Sequence, residues 1–333
     1  MKNLAIIGCD GSVYDYLYEY TKKLPVRLKA IVDSEENACT FAGMYRVEKI
    51  FSSYLEMLDE VRPELVLLFP ADEAKQYEIT KACLAAGANV LCERPICHSV
   101  SEGEELIELQ EKTGCFVMPR YNRRYMPIYN SAKHILSSTE FGKTYMYSSC
   151  FHTSPCANEE KFIANHISHH LDLARMLLGE LELIHVRRVW EDGKRLGFNI
   201  VFESKNGALG NIQSNSFLCH DYPRERLEIS GDCRQIVAEN VRHLWYNQPK
   251  VYLVSSDEHS TDLHGAVDFL SIGGSKNLNM DNIQLNNYTF YGFEYMLKEF
   301  VSCAERKIKP QQDMADALKT FRLVQSLFDM RNN

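Results

Sequence analysis

The chain has 333 residues, more than one ordinary core holds and close to two domains at about 150 residues each. Hydrophobic residues make up 45%, charged residues 25% and aromatics 11%, and 17 glycines with 10 prolines exclude a low-complexity or collagen-like chain. With 37 basic against 45 acidic residues the formal charge is −8, so no global positive field recruits nucleic acid or an anionic membrane.

Leu4-Ala5-Ile6-Ile7 is an apolar run ending at Gly8, the pattern of a strand buried on both faces, and a helix is expected from Tyr14 to Leu24. Further runs at Leu28–Val32 and Leu65–Phe69 end at Asp33 and Pro70, with a helical stretch between them. An amphipathic helix from Glu78 to Ala86 stops at Gly87; Asn89–Cys92 is a short strand, Ser101–Lys112 a helix and Cys115–Met118 a strand. Strands alternating with helices predict a doubly wound parallel sheet of the Rossmann type over residues 1–120. From 121 to 333 the texture changes. Alternating segments at Thr144–Ser149, Ile184–Trp190, Gly197–Glu203, Ala208–Ser214 and Arg226–Ser230 predict an α+β domain on a mostly antiparallel sheet. Ser255–Asn287 reads as a long polar excursion, and helices are expected at Phe293–Arg306 and Asp313–Met330.

Eleven cysteines, irregularly spaced and without a CxxC pair, read as free thiols. Several sit in apolar runs such as Ala82-Cys83-Leu84, which suits a reducing, cytoplasmic compartment. No run reaches about 18 apolar residues, and Met1-Lys2-Asn3 leads into a strand without a signal-peptide core, so no membrane partner is expected.

Gly8 after the first strand and Asp33 at the end of the second, 25 residues later, match a dinucleotide-binding turn, whose acid usually follows by about 20 residues. The segment Gly8-Cys9-Asp10-Gly11-Ser12-Val13 departs from GxGxxG. Asp10 stands where a second glycine admits the phosphates, so Asp10 must turn away or Gly11 must serve in a shifted turn. As a ribose acceptor Asp33 would repel a 2′-phosphate and select NAD over NADP; its plainer role is an N-cap of the next helix. Gly8 and Gly11 could likewise be a βα turn without a nucleotide.

Val90-Leu91-Cys92-Glu93-Arg94-Pro95 resembles the VLCEKP segment of the Gfo/Idh/MocA oxidoreductases. Tyr121-Asn122-Arg123-Arg124-Tyr125 is similar to that family's (F/Y)NRR(F/Y), and Asn165 to Arg175 to its DxGxHxxDLxR helix. The resemblance implies a nicotinamide-dependent enzyme acting at a hydroxyl or carbonyl carbon of a sugar, nucleotide-sugar or cyclitol. It carries the family's catalytic lysine, aspartate and histidine onto Arg94, Asn165 and His169, and it implies cofactor contacts from Gly8, Asp10, Gly11, Ser12, Val13, Asp33, Ser34, Pro70, Gln76, Glu93, Arg94 and Asn122. Arg123, Asn165, His169 and His170 are expected to face the substrate. Arginine for lysine keeps a cation but gives up a group able to lose its proton, so Arg94 orients and stabilises an alkoxide without being the base. Asparagine at 165 lacks the carboxylate that would hold a protonated imidazole. His169 is then the remaining acid/base. The resemblance also implies a homodimer or homotetramer.

His166 and His170, four apart, could share a metal with a third ligand from His152, Cys150, Cys156 or His220; lining a polar pocket is the plainer role, and no metal is expected. Arg123 and Arg124 suit either an anionic substrate or a salt bridge at the domain junction, where Tyr121, Tyr125 and Tyr129 are expected to pack. The expected function is NAD(H)-dependent hydride transfer on a small-molecule substrate. The alternative is a catalytically silent relative that senses a dinucleotide or metabolite.

Overall fold

The computed structural model describes residues 1–9, 21–45, 47–70, 72–219, 223–248, 275–279 and 291–331. Asp10, Gly11, Ser12 and Val13, His220, most of the expected helix at 14–24 and most of the 255–287 segment lie outside the described residues.

The amino-terminal elements are β1 (Lys2–Ile7), β2 (Val26–Val32), α1 (Glu35–Tyr45), β3 (Lys49–Phe51), α2 (Tyr54–Val61), β4 (Leu65–Leu68), α3 (Gln76–Ala85), β5 (Asn89–Cys92), α4 (Val100–Thr113) and β6 (Val117–Pro119). Their strands form one sheet in the order β3-β2-β1-β4-β5-β6, every pair parallel. The order reverses between β1 and β4, so the carboxyl ends of these strands form the crevice where open α/β sheets take ligands. Helix α4 shows how locally the boundaries are set. Ser99 Oγ accepts from the Glu102 N–H at 3.2 Å, the Glu102 carboxylate reaches back to the His98 N–H at 2.7 Å, and Gly114 closes the helix at φ +71°. Strand β6 begins two residues later than expected, because side chains take the preceding N–H groups: Thr113 Oγ1 that of Cys115 and Asn89 Oδ1 that of Phe116.

The remaining elements are α5 (Pro127–Leu136), β7 (Thr144–His152), α6 (Glu159–Phe162), a π-helical turn (Ile163–Ile167), α7 (Ser168–Leu178), β8 (Leu181–Glu191), β9 (Arg195–Ser204), β10 (Leu209–Asn215), β11 (Arg224–Gly231), β12 (Arg234–Glu239), β13 (His243–Asn247), β14 (Ser275–Asn279), α8 (Phe293–Arg306) and α9 (Met314–Met330). The second sheet runs β14-β13-β12-β11-β7-β10-β9-β8, antiparallel except for the parallel pair β7–β10. The expected excursion at 255–287 is corrected at Ser275–Asn279, which pairs with β13 in the register His243↔Asn279. Strand β9 shows the one-sided pattern: Leu196, Phe198, Ile200 and Phe202 are buried, while Asn199 and Glu203 are exposed.

The chain divides into two compact units. One comprises residues 1–126, 163–172 and 286–326; the other comprises 127–162, 173–285 and 327–333. In the first, alternate strand residues fill two cores. Leu4, Ile6, Leu65, Leu67 and Leu91 pack with Phe293, Met296 and Phe300 of α8, and Ala5, Ile7, Val66, Leu68 and Val90 pack with Leu84, Leu106 and Leu318. Sheet faces buried on both sides explain the unbroken apolar runs in the sequence. Among the described residues no helix is long and apolar enough to cross a membrane.

Candidate active site

Two corners at the carboxyl edge of the parallel sheet gather the polar groups of the first unit. At the β1–β4 corner the backbone turns at Gly8, φ +88°, whose N–H donates to Val32 O at 2.8 Å. A Cβ there would lie 1.9 Å from Phe69 O and 3.3 Å from the Pro70 Cα, so only glycine fits. The half-buried Asp33 carboxylate, at the end of β2, accepts from the Cys9 N–H through Oδ2 and from the Ser34 N–H through Oδ1 at 2.5 Å, with Asn37 Nδ2 at 3.3 Å. It therefore ties the β1 turn to the end of β2 and reaches the first turn of α1 only through the Asn37 side chain. A carboxylate has about four lone-pair directions, which leaves acceptor capacity for ribose hydroxyls beside the exposed Ser34. That spare acceptor capacity fits a ribose of an adenine dinucleotide, while the expected phosphate-facing residues Asp10, Gly11, Ser12 and Val13 lie outside the described residues. Burial, and then Asp33, push the Cys9 thiol up to about 12, so it stays protonated.

The second corner follows β5 and β6 and presents mainly donors. Arg94, 8% exposed, donates through Nε to Arg120 O at 3.0 Å and through Nη1 to Ala164 O at 2.7 Å and Ser168 Oγ at 2.9 Å. Its Nη2 lies 2.6 Å from His169 Nε2, and its guanidinium carbon lies 4.9 Å from the Tyr121 ring centroid. The His169 ring meets the same tyrosine edge-on at 5.7 Å. Since a guanidinium only donates, His169 Nε2 accepts. Burial, reinforced by Arg94, Arg123, Arg120 and His170, holds His169 well below its ordinary range near 6.5. An imidazolium in contact with this guanidinium would cost about 6 kcal/mol at an effective dielectric near 20, so the ring is neutral.

The backbone around Arg94 is fastened from below. Buried Gln76 donates to Glu93 O and, at 3.3 Å, to Pro95 O; the Glu93 carboxylate pairs with Arg120. Asn122 Nδ2 donates to Tyr291 O at 3.1 Å. Beyond His169, Asp172 is fully buried and accepts from Arg124 Nε and Nη2 at 2.7 Å each, from Gln312 Nε2 at 3.0 Å and from Thr320 Oγ1 at 3.0 Å. Asp316 Oδ2 lies 2.7 Å from Arg124 Nη2. Burial disfavours the Arg124 cation, but Asp172 and Asp316 outweigh that and raise its pKa. Arg124 is thus the structural member of the arginine pair, within one unit rather than at a junction between two.

The structure brings Arg94 and His169 together, while Asn165, in the π-helical turn, is exposed. His170 is buried and Arg123 half-buried, and the fields of both act on His169. Gln76, Glu93 and Asn122, expected at the cofactor, are seen holding backbone and an ion pair. The metal alternative finds no support among the described residues, where no three His, Cys, Asp or Glu side chains gather to hold an ion. Sequence reasoning missed Arg120, Ser168 and the Gln312–Asp316–Thr320 row. The last had a partial signal: Asp316 and Thr320, four apart, lie on one face of α9, while Gln312 precedes that helix.

Residues 2–121 match the family model described as an oxidoreductase family with an NAD-binding Rossmann fold. Among curated relatives, inositol 2-dehydrogenase 2 of Saccharopolyspora erythraea is 27% identical over 225 residues, 63% of this chain and 66% of that protein. Myo-inositol 2-dehydrogenase of Thermotoga maritima is 24% identical over 215 residues, 59% and 62% of the two chains. Both alignments span less than two thirds of the relative's own length. Among solved structures, a dehydrogenase from Chromobacterium violaceum has a TM-score of 0.85 at 16% identity over 99% of this chain and 95% of that one. An oxidoreductase from Agrobacterium radiobacter in complex with NAD+, L-tartaric acid and magnesium has 0.81 at 15%, covering 100% and 96%. Likeness at these identities shows the shared fold.

Proposed function

From the match of residues 2–121 to the family model of an NAD-binding Rossmann oxidoreductase, we propose that the chain is a Gfo/Idh/MocA oxidoreductase that oxidises or reduces a hydroxyl or carbonyl carbon of a cyclitol or sugar. The relatives named as inositol dehydrogenases support that substrate class. Gly8 and Asp33 would hold the dinucleotide, the Asp33 charge selecting NAD over NADP. Bound NAD supplies the hydride exchange. The chain's own residues place the reacting oxygen: Arg94 and His169 form a dry, cationic corner that stabilises negative charge on it, and Arg123 adds a further positive field. The observation that carries this reading is the buried Arg94–His169 contact at 2.6 Å, at the carboxyl edge of the sheet that carries Gly8 and Asp33. Pairing with a second copy is proposed through the outward face of the second sheet, where Met146 and Leu209, register partners, are 53% and 46% exposed.

The test combines calorimetry of NAD with turnover of myo-inositol, hexoses and nucleotide sugars, read by the absorbance of reduced nicotinamide. His169→Ala is expected to lower kcat/KM on the order of 10²–10³-fold with NAD affinity retained. Normal turnover by that variant, or no heat with NAD, overturns the reading. A binding-only sensor draws on one observation: four hydrogen bonds within the protein already occupy most of the five Arg94 donors. NAD binding with no turnover across the panel decides for it.

A further inference from the structure

We infer that Arg94 fixes His169 as the Nδ1–H tautomer, so that the imidazole offers the substrate oxygen a hydrogen-bond donor instead of a base. The proposal rests on the oxidoreductase reading for its substrate, a carbonyl or alkoxide oxygen, but its structural half stands on the protein alone. The guanidinium has no lone pair, so Nε2, 2.6 Å from Nη2, must be the accepting nitrogen and the single ring proton of a neutral histidine is left on Nδ1. Nδ1 is itself buried and, among the described residues, has no hydrogen-bond partner. A buried donor left open is rare in folded proteins and marks a place where something else is received.

The surroundings agree with an acceptor as that guest. Arg94 from the turn after β5, Arg120 from the end of β6, Arg123 from the 3-10 turn Asn122–Tyr125 and His170 from the same helix all oppose a positive charge on the ring, and the Tyr121 ring closes one side. Oxygen carrying developing negative charge is favoured in such a place; a hydroxyl proton seeking a base is not. A neutral imidazole donating to an oxyanion keeps its proton, so no bond to hydrogen is broken at His169 in this role, and the proton that turns alkoxide into alcohol, or leaves the alcohol on oxidation, is exchanged with water. Arg94 is then a positioning residue for His169, and the arginine found where the resembling family carries lysine sets the polarity of the histidine.

The experiment is long-range ¹⁵N NMR of the histidine rings in the full chain without ligand, with His169 signals identified by their loss in His169→Asn. A pyrrole-type shift at Nδ1 and a pyridine-type shift at Nε2, unchanged between about pH 5 and 8, are expected. A proton on Nε2, or titration to the doubly protonated ring within that window, overturns the inference. In Arg94→Met the proton should move to Nε2 or the ring should titrate; a folded Arg94→Met protein that keeps the Nδ1–H signature shows that Arg94 does not set the tautomer. If that variant fails to fold, the wild-type spectrum still decides the tautomer. Absence of NAD binding or turnover counts against the oxidoreductase reading and leaves the tautomer result standing.

Discussion

The two corners at the carboxyl edge of the parallel sheet carry opposite chemistry. At the β1–β4 corner a glycine and a carboxylate leave room and acceptors; at the β5–β6 corner an arginine and a neutral histidine leave positive charge and a donor. The first corner is built on backbone geometry, which tolerates almost no change, and the second on side chains, where Arg94 stands at the position at which the resembling motif has lysine. The contrast sets a fixed backbone turn beside a side-chain cluster at the edge of one sheet.

The most direct way to break the first corner is Gly8→Ala. The new Cβ would meet the Phe69 carbonyl at 1.9 Å, and that carbonyl belongs to the chain leaving β4 and cannot rotate away. Overpacking and the left-handed backbone together should cost on the order of 4 kcal/mol. Chemical denaturation should show a midpoint far below the parent's, and an unchanged midpoint would mean that the turn has slack which its contacts deny.

Much of this first corner was legible in the sequence because its signals are local. An apolar run ending in glycine and a second ending in aspartate announce two parallel strands and their ligand edge, and Phe293–Arg306 emerges as a helix with the bounds its pattern predicts. The second corner was legible only as a set of residue types. That Arg94 and His169 touch depends on a return of the chain 75 positions later, and Gln312 and Thr320 meet Asp172, and Asp316 meets Arg124, across still longer intervals. No periodicity encodes which nitrogen of His169 faces the guanidinium. Strand Ser275–Asn279 was hidden for another reason: Asn and Lys weaken the β signal, and its pairing with β13 is made by the backbone.

Asp33→Asn sharpens the comparison at the acceptor side. The amide keeps one oxygen but turns an NH₂ toward either the Cys9 or the Ser34 N–H, donor against donor, and removes the charge offered to the ribose. NAD affinity should fall by about 2 kcal/mol, roughly thirtyfold, while NADP, relieved of repulsion, loses less. Titration calorimetry with both dinucleotides reads the two changes, and an equal loss for both would remove Asp33 from any part in discrimination.

The smallest effect belongs to the donor corner and is a slope. His169 is held neutral in the native state, well below its ordinary range, by burial and the surrounding arginines, whereas in the unfolded chain it titrates near 6.5. Below that pH the unfolded state takes a proton that the native state refuses, so unfolding is favoured progressively as the solution becomes more acid; above it the contribution is constant and fully present. One such histidine gives a slope of about 1.4 kcal/mol per pH unit between its native and unfolded values. Subtracting the stability curve of His169→Asn from that of the parent isolates this residue from the other histidines and from the carboxylates. A difference that declines with acidity below neutrality supports a neutral imidazole under arginine control; a flat difference means that His169 accepts its proton in the folded protein, and with it the opposition between the two corners disappears.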